Sequence, residues 1–235
     1  FRASAPTRSA LTFVWLSGFK SDMSGTKVTE LETWASEEGH GFLAFDYSGH
    51  GLSDGAFEDG TISAWRADAL AAIDAHSQGP IVLVGSSMGG WMALLAALAR
   101  PDRVTGLVLI APAPDFTEKL MWPEFSSEAQ AEIMDKGFTL RPSDYDEPYT
   151  ITRALIEDGR TWQILDAPIK LNIPVRILQG MQDADVPWKH AERLVDAITS
   201  DDLVFTLIKD GDHRLSREQD IARLKATCAD IATAS

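Results

Sequence analysis

The sequence predicts an α/β fold with a mostly parallel sheet of about six strands, covered by helices on both faces. Three observations carry this. Short apolar runs alternate with amphipathic stretches of helical period, as chained strand–helix–strand units do. The runs are apolar throughout, which is how strands buried on both faces read. The chain has 235 residues, 45% hydrophobic and 24% charged, enough to fill one core and carry an insertion.

The strands are read over Leu11–Leu16, Phe42–Phe45, Ile81–Val84, Val104–Ile110, Val175–Leu178 and Val204–Ile208. They are rich in β-branched, leucine and aromatic residues, and most are bounded by Gly, Pro or Asp. The helices are read over Lys27–Gly39, Ile62–His76, Met88–Arg100, Trp188–Thr199 and Glu218–Ala234. In the second helix Ile62, Trp65, Ala69, Ala72 and Ile73 recur at spacings of three and four, giving one buried stripe thinned by its alanines. Pro101 stops the third helix. With so little chain ahead of the first strand, no leading hairpin is expected.

One interval breaks the rhythm. About 60 residues separate Ala111 from the next strand, too many for a structureless loop in a compact domain. They include Leu120, Met121, Trp122, Phe125, Met134, Phe138, Tyr145, Tyr149 and Trp162, and read as two or three helices forming a cap over the sheet. The expected division is a core of residues 1–114 and 173–235 with a helical cap of 115–172. The alternative is an ordinary crossover with a long loop.

Charge and cysteine content narrow the function classes. With 35 acidic against 21 basic side chains, the net charge of −14 disfavours nucleic acid and anionic membranes as partners. No apolar run approaches the roughly 20 residues of a membrane span. The one cysteine, Cys228, excludes a disulfide framework, suits a reducing compartment, and is read as a small core residue of the last helix. The start at Phe1 reads as a trimmed or processed end with no intact signal peptide.

Gly85-Ser86-Ser87-Met88-Gly89 fits G-x-S-x-G with Ser87 as nucleophile. It lies between a strand and an alanine-rich helix, the context this motif requires. The glycines permit the tight turn, and the Met88 amide that follows can meet a developing oxyanion. Ser86 lacks a glycine two residues before it and is out of frame. A serine nucleophile needs a base held by a carboxylate, in the chain order Ser, acid, His. Of five histidines, His190 and His213 come late enough. His213 lies in the loop after the last strand and is preferred, while His190 falls within a helix and reads as a surface residue. Asp183 follows the preceding strand and is the favoured acid. Asp115 and Asp185 stand as alternatives, Asp185 being expected to face away. The Phe19 amide, in the loop after the first strand, is the second oxyanion donor by position, while Lys20 and Ser21 read as solvated or structural.

The run Asp46–Gly55 has the glycines of a phosphate loop but fails G-x-G-x-x-G, because Asp54 takes the third position. It reads as a tight turn beneath the oxyanion loop, with His50 a buried hydrogen-bonding group. No residues show zinc-ligand spacing, so neither metal nor cofactor is expected.

The elbow Gly85–Gly89, the turn Asp46–Gly51, the acid loop Gly180–Pro187 and the His213 loop together resemble the α/β-hydrolase superfamily. Closer resemblance lies in Gly18–Lys27, Phe45–Gly49, Gly85–Trp91 and Asp212–Arg214, which are similar to the abhydrolase-domain-containing protein 10 family. That resemblance implies Ser87, Asp183 and His213 as a triad, cofactor-free acyl transfer to water, and thioester or ester substrates. Members act as palmitoyl-protein thioesterases and acyl glucuronide esterases and are mitochondrial in mammals. The implied compartment is therefore the cytoplasm or the mitochondrial matrix.

Trp122, Phe125, Phe138, Tyr145 and Trp162 are expected to line a tunnel for an apolar acyl chain, unless they form the cap's own core. No Arg/Lys cluster is foreseen to clamp an anion. The alternatives are a short-chain carboxylesterase, a lyase, dehalogenase or haloperoxidase on the same fold, and a non-catalytic binding protein that has kept it.

Overall fold

Continuous apolar strands need cover on both faces, and the chain supplies it by winding helices to alternate sides of one sheet. The computed structural model describes residues 1–141 and 148–234. In chain order its elements are β1 (Arg2–Ser4), β2 (Thr12–Leu16), α1 (Thr26–Glu38), β3 (Gly41–Ala44), α2 (Ile62–His76), β4 (Ile81–Ser86), α3 (Met88–Ala99) and β5 (Val104–Ile110). Then follow α4 (Ser127–Lys136), β6 (Phe138–Arg141), β7 (Tyr149–Thr152), α5 (Arg153–Thr161), β8 (Val175–Gly180), α6 (Trp188–Ala197), β9 (Leu203–Ile208) and α7 (Glu218–Ala234).

The main sheet has seven strands in the order β1-β3-β2-β4-β5-β8-β9, parallel except for β1. The expectation of six is corrected by one edge strand: β1 pairs antiparallel with β3 through Arg2↔Ala44, Ala3↔Leu43 and Ser4↔Phe42. Three residues are too few to show a period, and their strand character comes from the partner.

Alternation sorts the strand residues between two layers. Val14, Leu16, Leu83, Leu107, Leu109 and Ile177 face α2, α3 and the segment after β5. Phe13, Trp15, Val82, Val84, Val108 and Leu178 face Val28, Leu31 and Trp34 of α1 and Leu224, Cys228 and Ile231 of α7. The expected stripe of α2 is present, with Ile62, Trp65, Ala69 and Ile73 buried. Thr61 caps that helix, its side chain accepting the Ala64 N–H at 3.1 Å.

The chain runs from β2 outward to β3, then returns across β2 to start β4 on its other side. The order therefore reverses between β2 and β4, and the crevice beyond their carboxyl ends is where open sheets of this kind bind ligands. Leu16 pairs with Gly85, so the two strands end level.

The stretch between β5 and β8 is not purely helical, as expected, but mixed. It holds a π-turn over Thr117–Met121, a 3-10 turn over Trp122–Glu124, α4, the antiparallel pair β6–β7 and α5. Phe138 and Leu140 project outward from β6 while Thr139 is buried, the two-residue alternation of a strand.

Candidate active site

The sharp turn at Ser87 is built by close packing that only glycine allows. Ser87 sits at φ 56°, ψ −120°, between β4 and α3. A Cβ on Gly85 would lie 2.3 Å from the Gly89 carbonyl oxygen, and one on Gly89 would lie 1.9 Å from the Leu16 carbonyl oxygen. The strain at Ser87 is held by its N–H, which donates to Ile110 at 2.9 Å, and by its carbonyl, which accepts from Ala113 at 3.1 Å.

The Ser87 Oγ stands 3.2 Å from His213 Nε2, and the His213 Nδ1 stands 2.8 Å from Asp183 Oδ2. The acid and histidine loops touch tightly, for a Cβ on Gly180 would meet the Gly211 carbonyl at 2.3 Å. The Asp183 side chain is fully buried, whereas that of His213 is 24% exposed, dry on one side and open to the cavity on the other. Asp183 is held on all sides. Its Oδ1 accepts the Asp185 and Val186 amides at 3.0 and 2.8 Å, and its Oδ2 also accepts from Gln179 Nε2 at 3.0 Å.

The other sequence candidates have different places. Asp115 is buried under the chain's return toward the sheet, its carboxylate accepting the Ile164 and Leu165 amides at 2.9 Å each. Burial pushes its carboxyl upward against the pull of those two amides. His190, expected at the surface, is instead buried, donating from Nε2 to the Pro114 carbonyl at 2.7 Å. Its helix turns that side chain inward, and burial lowers its pKa. Asp185 does not face away: it stands at the cavity wall, its carboxylate grouped with Asp183 and His213 so that one donor atom of each lies within 4.8 Å of the others. These three are the described residues that could together hold a cation. Asp183 and His213, however, already spend their donor atoms on the hydrogen bonds above.

Phe19 lies beside Ser87 at the wall of the cavity, its ring edge-on to Phe57, Trp65, Phe116 and Tyr149 at 4.9–6.4 Å. Its N–H meets no acceptor among the described residues. The Met88 amide opens α3, where first-turn N–H groups have no partner within the helix.

A cavity of about 510 Å³ opens over Ser87. Its lining includes the apolar Phe19, Met88, Phe116, Leu120, Met121 and Val186, the basic Lys27, Arg141 and Arg214, and the acidic Glu124 and Asp185. The expected tunnel residues are elsewhere. Trp122 stacks under Arg160 at 4.8 Å and edge-on to Phe125 at 6.3 Å. Trp162 donates to Ser63 Oγ at 2.7 Å beneath Arg66, and Phe138 is 46% exposed. None of these four lines the cavity, because they pack within the insertion or against α2, or face outward. Tyr145 lies outside the described residues. Phe116, Leu120 and Met121 take that place because they leave the carboxyl end of β5 directly above the elbow, a signal readable from their distance to the strand.

The basic residues of the lining were not foreseen either, since Lys27, Arg141 and Arg214 come from three separate stretches. Lys27 donates to the Arg214 carbonyl, and burial drops its pKa to about 8. Arg141 pairs with Glu124 at 2.6 Å.

Comparison with known proteins fits this geometry. Residues 13–227 match the alpha/beta hydrolase family. "Palmitoyl-protein thioesterase ABHD10, mitochondrial" of Pongo abelii is 39% identical over 220 residues, which are 93% of this chain and 72% of that protein. The crystal structure of a "Putative hydrolase" from Agrobacterium vitis S4 superposes with a TM-score of 0.93 at 46% identity, covering 97% of this chain and 91% of the other. Alpha/beta hydrolase domain-containing protein 10 from mouse superposes with a TM-score of 0.89 at 36% identity, covering 99% and 92%.

Proposed function

The chain belongs to the alpha/beta hydrolase family, and on that premise we propose that it hydrolyses esters or thioesters through an acyl-enzyme on Ser87. The observation that carries the assignment of residues is the hydrogen-bonded chain Ser87–His213–Asp183 opening into the cavity. Ser87 Oγ attacks the carbonyl carbon while His213 Nε2 takes its proton. Asp183 keeps the other ring proton on Nδ1, so that Nε2 is free to accept, and stabilises the imidazolium. The Met88 and Phe19 amides donate to the oxyanion. On collapse His213 returns the proton to the departing alcohol or thiol. Water, activated by the same ring, then attacks the acyl carbon and releases the acid and free Ser87.

A cavity of about 510 Å³ suits a small-molecule-sized group. We assign the acyl chain to the Phe116–Met121 wall and the leaving group to the side of Lys27 and Arg214, where a polar or anionic portion is tolerated. Relatives named palmitoyl-protein thioesterases support an apolar acyl chain. A short-chain carboxylesterase is the second reading, favoured by the mixed lining. Among the described residues no helix is long and apolar enough to cross a membrane. The mitochondrial thioesterases among its relatives support a mitochondrial compartment.

The test is labelling by a fluorophosphonate probe with wild type, Ser86→Ala and Ser87→Ala, followed by kcat/KM from acetyl to palmitoyl esters and acyl-cysteine thioesters. Labelling lost only in Ser87→Ala supports the nucleophile, and labelling that survives in that variant refutes it. A monotonic preference for acetyl selects the second reading.

A further inference from the structure

We propose that His50 is a positioning residue for the oxyanion loop: its Nε2 accepts the Lys20 N–H, holding the Phe19–Lys20 peptide, and through the Phe19 backbone it aims the neighbouring Phe19 N–H at the oxyanion on Ser87. The inference rests on the serine-hydrolase reading above and adds to it a residue that the triad does not contain.

Four observations carry it. First, the Lys20 N–H donates to His50 Nε2 at 3.2 Å, while the His50 Nδ1 lies 3.2 Å from the Ser48 carbonyl. One nitrogen must accept and the other donate, so the ring is neutral with its proton on Nδ1. Second, Lys20 has φ 56°, uncommon for a lysine, inside a turn closed by the Ser21 N–H donating to the Gly18 carbonyl at 3.1 Å, and the bond to His50 anchors that turn, which carries Phe19, to the rest of the fold. Third, the ring is 3% exposed and stands edge-on to Phe57 and Trp65 at 5.3 and 5.2 Å. The Phe19 ring packs on the same two side chains at 4.9 and 5.9 Å, so one aromatic seat locates both the loop and the residue that holds it. Fourth, the same turn grips the loop again further along, where Asp46 Oδ1 accepts the Met23 N–H at 2.7 Å.

The surroundings keep the ring neutral. Burial and the Lys20 charge lower its pKa, against the Ser48 carbonyl and the Asp46 and Asp68 carboxylates, which raise it. Phe57, Trp65 and Tyr47 set their rings edge-on to it, and Trp65 Nε1 donates at 3.2 Å to the same Ser48 carbonyl.

The test uses two amide side chains that each reproduce one ring nitrogen. Glutamine at position 50 places an acceptor near Nε2 and reaches Lys20. Asparagine reaches the Ser48 carbonyl and stops short of Lys20. If the position mattered only for packing or for Ser48, the two variants would be equally impaired or equally unimpaired. Misplacing an oxyanion donor costs less than its complete loss, which is worth about 10²–10³ in rate. His50→Asn is therefore expected to lose roughly 10- to 100-fold in kcat with KM nearly unchanged, and to bind an alkyl boronic acid weaker by the same factor. That boronate, bonded to Ser87 Oγ, puts its own oxygen where the oxyanion would be. His50→Gln is expected to restore most of the rate and of the boronate affinity. Equal behaviour of the two variants, or a loss in KM without a loss in boronate affinity, overturns the proposal. Fluorophosphonate labelling of wild type separates the two levels. An unlabelled wild type defeats the hydrolase reading itself, whereas a labelled wild type with indistinguishable variants defeats only the role of His50.

Discussion

Replacing Asp183 by asparagine should remove about four orders of magnitude of kcat while leaving the fold in place. The two side chains are nearly isosteric, so the outcome depends on which atom of the new amide goes where. Asp183 Oδ1 accepts two backbone N–H groups, from Asp185 and Val186, and a nitrogen there would face two donors. The amide oxygen must therefore keep that position, which puts the NH₂ group in place of Oδ2, against His213 Nδ1 and Gln179 Nε2. Gln179 gains nothing by turning round: the two hydrogens of its Nε2 are shared among Asp183 Oδ2 and the Gly180 and Val186 carbonyls, and a flip would set its oxygen against both carbonyls. An NH₂ facing Nδ1 forces the ring proton onto Nε2, which then points a proton at Ser87 Oγ instead of a lone pair. The wrong tautomer costs ~10⁴ in kcat, about 5 kcal/mol of transition-state stabilisation. The donor facing Gln179 adds about 1–3 kcal/mol of instability. Steady-state hydrolysis, the rate of fluorophosphonate labelling and urea unfolding measure the three consequences. If Asp183→Asn keeps more than about a tenth of wild-type kcat, the tautomer argument fails.

Three further outcomes are expected. Gly89→Ala places a Cβ 1.9 Å from the Leu16 carbonyl oxygen, and because backbone cannot yield, it should cost about 3 kcal/mol or more and lower Tm by roughly 6–12 °C in a calorimeter. Asp115→Asn turns one of its two backbone N–H partners toward an NH₂ group, so urea unfolding should show a loss of about 1–3 kcal/mol while kcat changes less than about tenfold. A larger kcat loss here than in Asp183→Asn would move the acid to the strand before. Lys27 has a folded pKa of about 8 against an ordinary 10.5, so between those values the unfolded chain binds more protons. Wild type should therefore gain stability relative to Lys27→Met as pH rises from about 8 to about 10.5, and urea midpoints that stay parallel across that range would refute the burial of Lys27 as a charge.

The sequence was legible where one local rule decides the outcome. β2, β4, β5 and β8 are buried on both faces, so their apolar character is continuous and needs no knowledge of neighbours. The Ser87 elbow is equally local, since its glycines answer to contacts within five residues and to the adjacent strand end. What escaped was decided across the fold. β1 is a strand because β3 offers it an edge. His190 is buried because the Pro114 carbonyl, 76 residues away, accepts its ring proton. Lys27, Arg141 and Arg214 come to line one cavity only once α1, β6 and the histidine loop are folded around it. The large aromatics of the insertion were legible as apolar but not as facing inward or outward, because Trp122 and Trp162 find their partners in Arg160 and in Ser63 and Arg66.

The Asp115 carboxylate also acts as a staple. It binds backbone amides 49 and 50 residues ahead of it in the chain, at the point where the excursion after β5 comes home. Seen from the sheet, everything between is a ring closed at its neck, and the neck rather than the ring sets where β8 begins. Lengthening a closed ring is cheap, about 0.6 kcal/mol for each doubling, so natural variation or deliberate grafting can rebuild the excursion without disturbing its foundation. The chemistry at Ser87 and the choice of substrate above it are therefore separately adjustable. Loops exchanged from any other member of the fold should be spliced just inside this neck, after Asp115 and before Ile164, where the graft inherits a closure it need not supply.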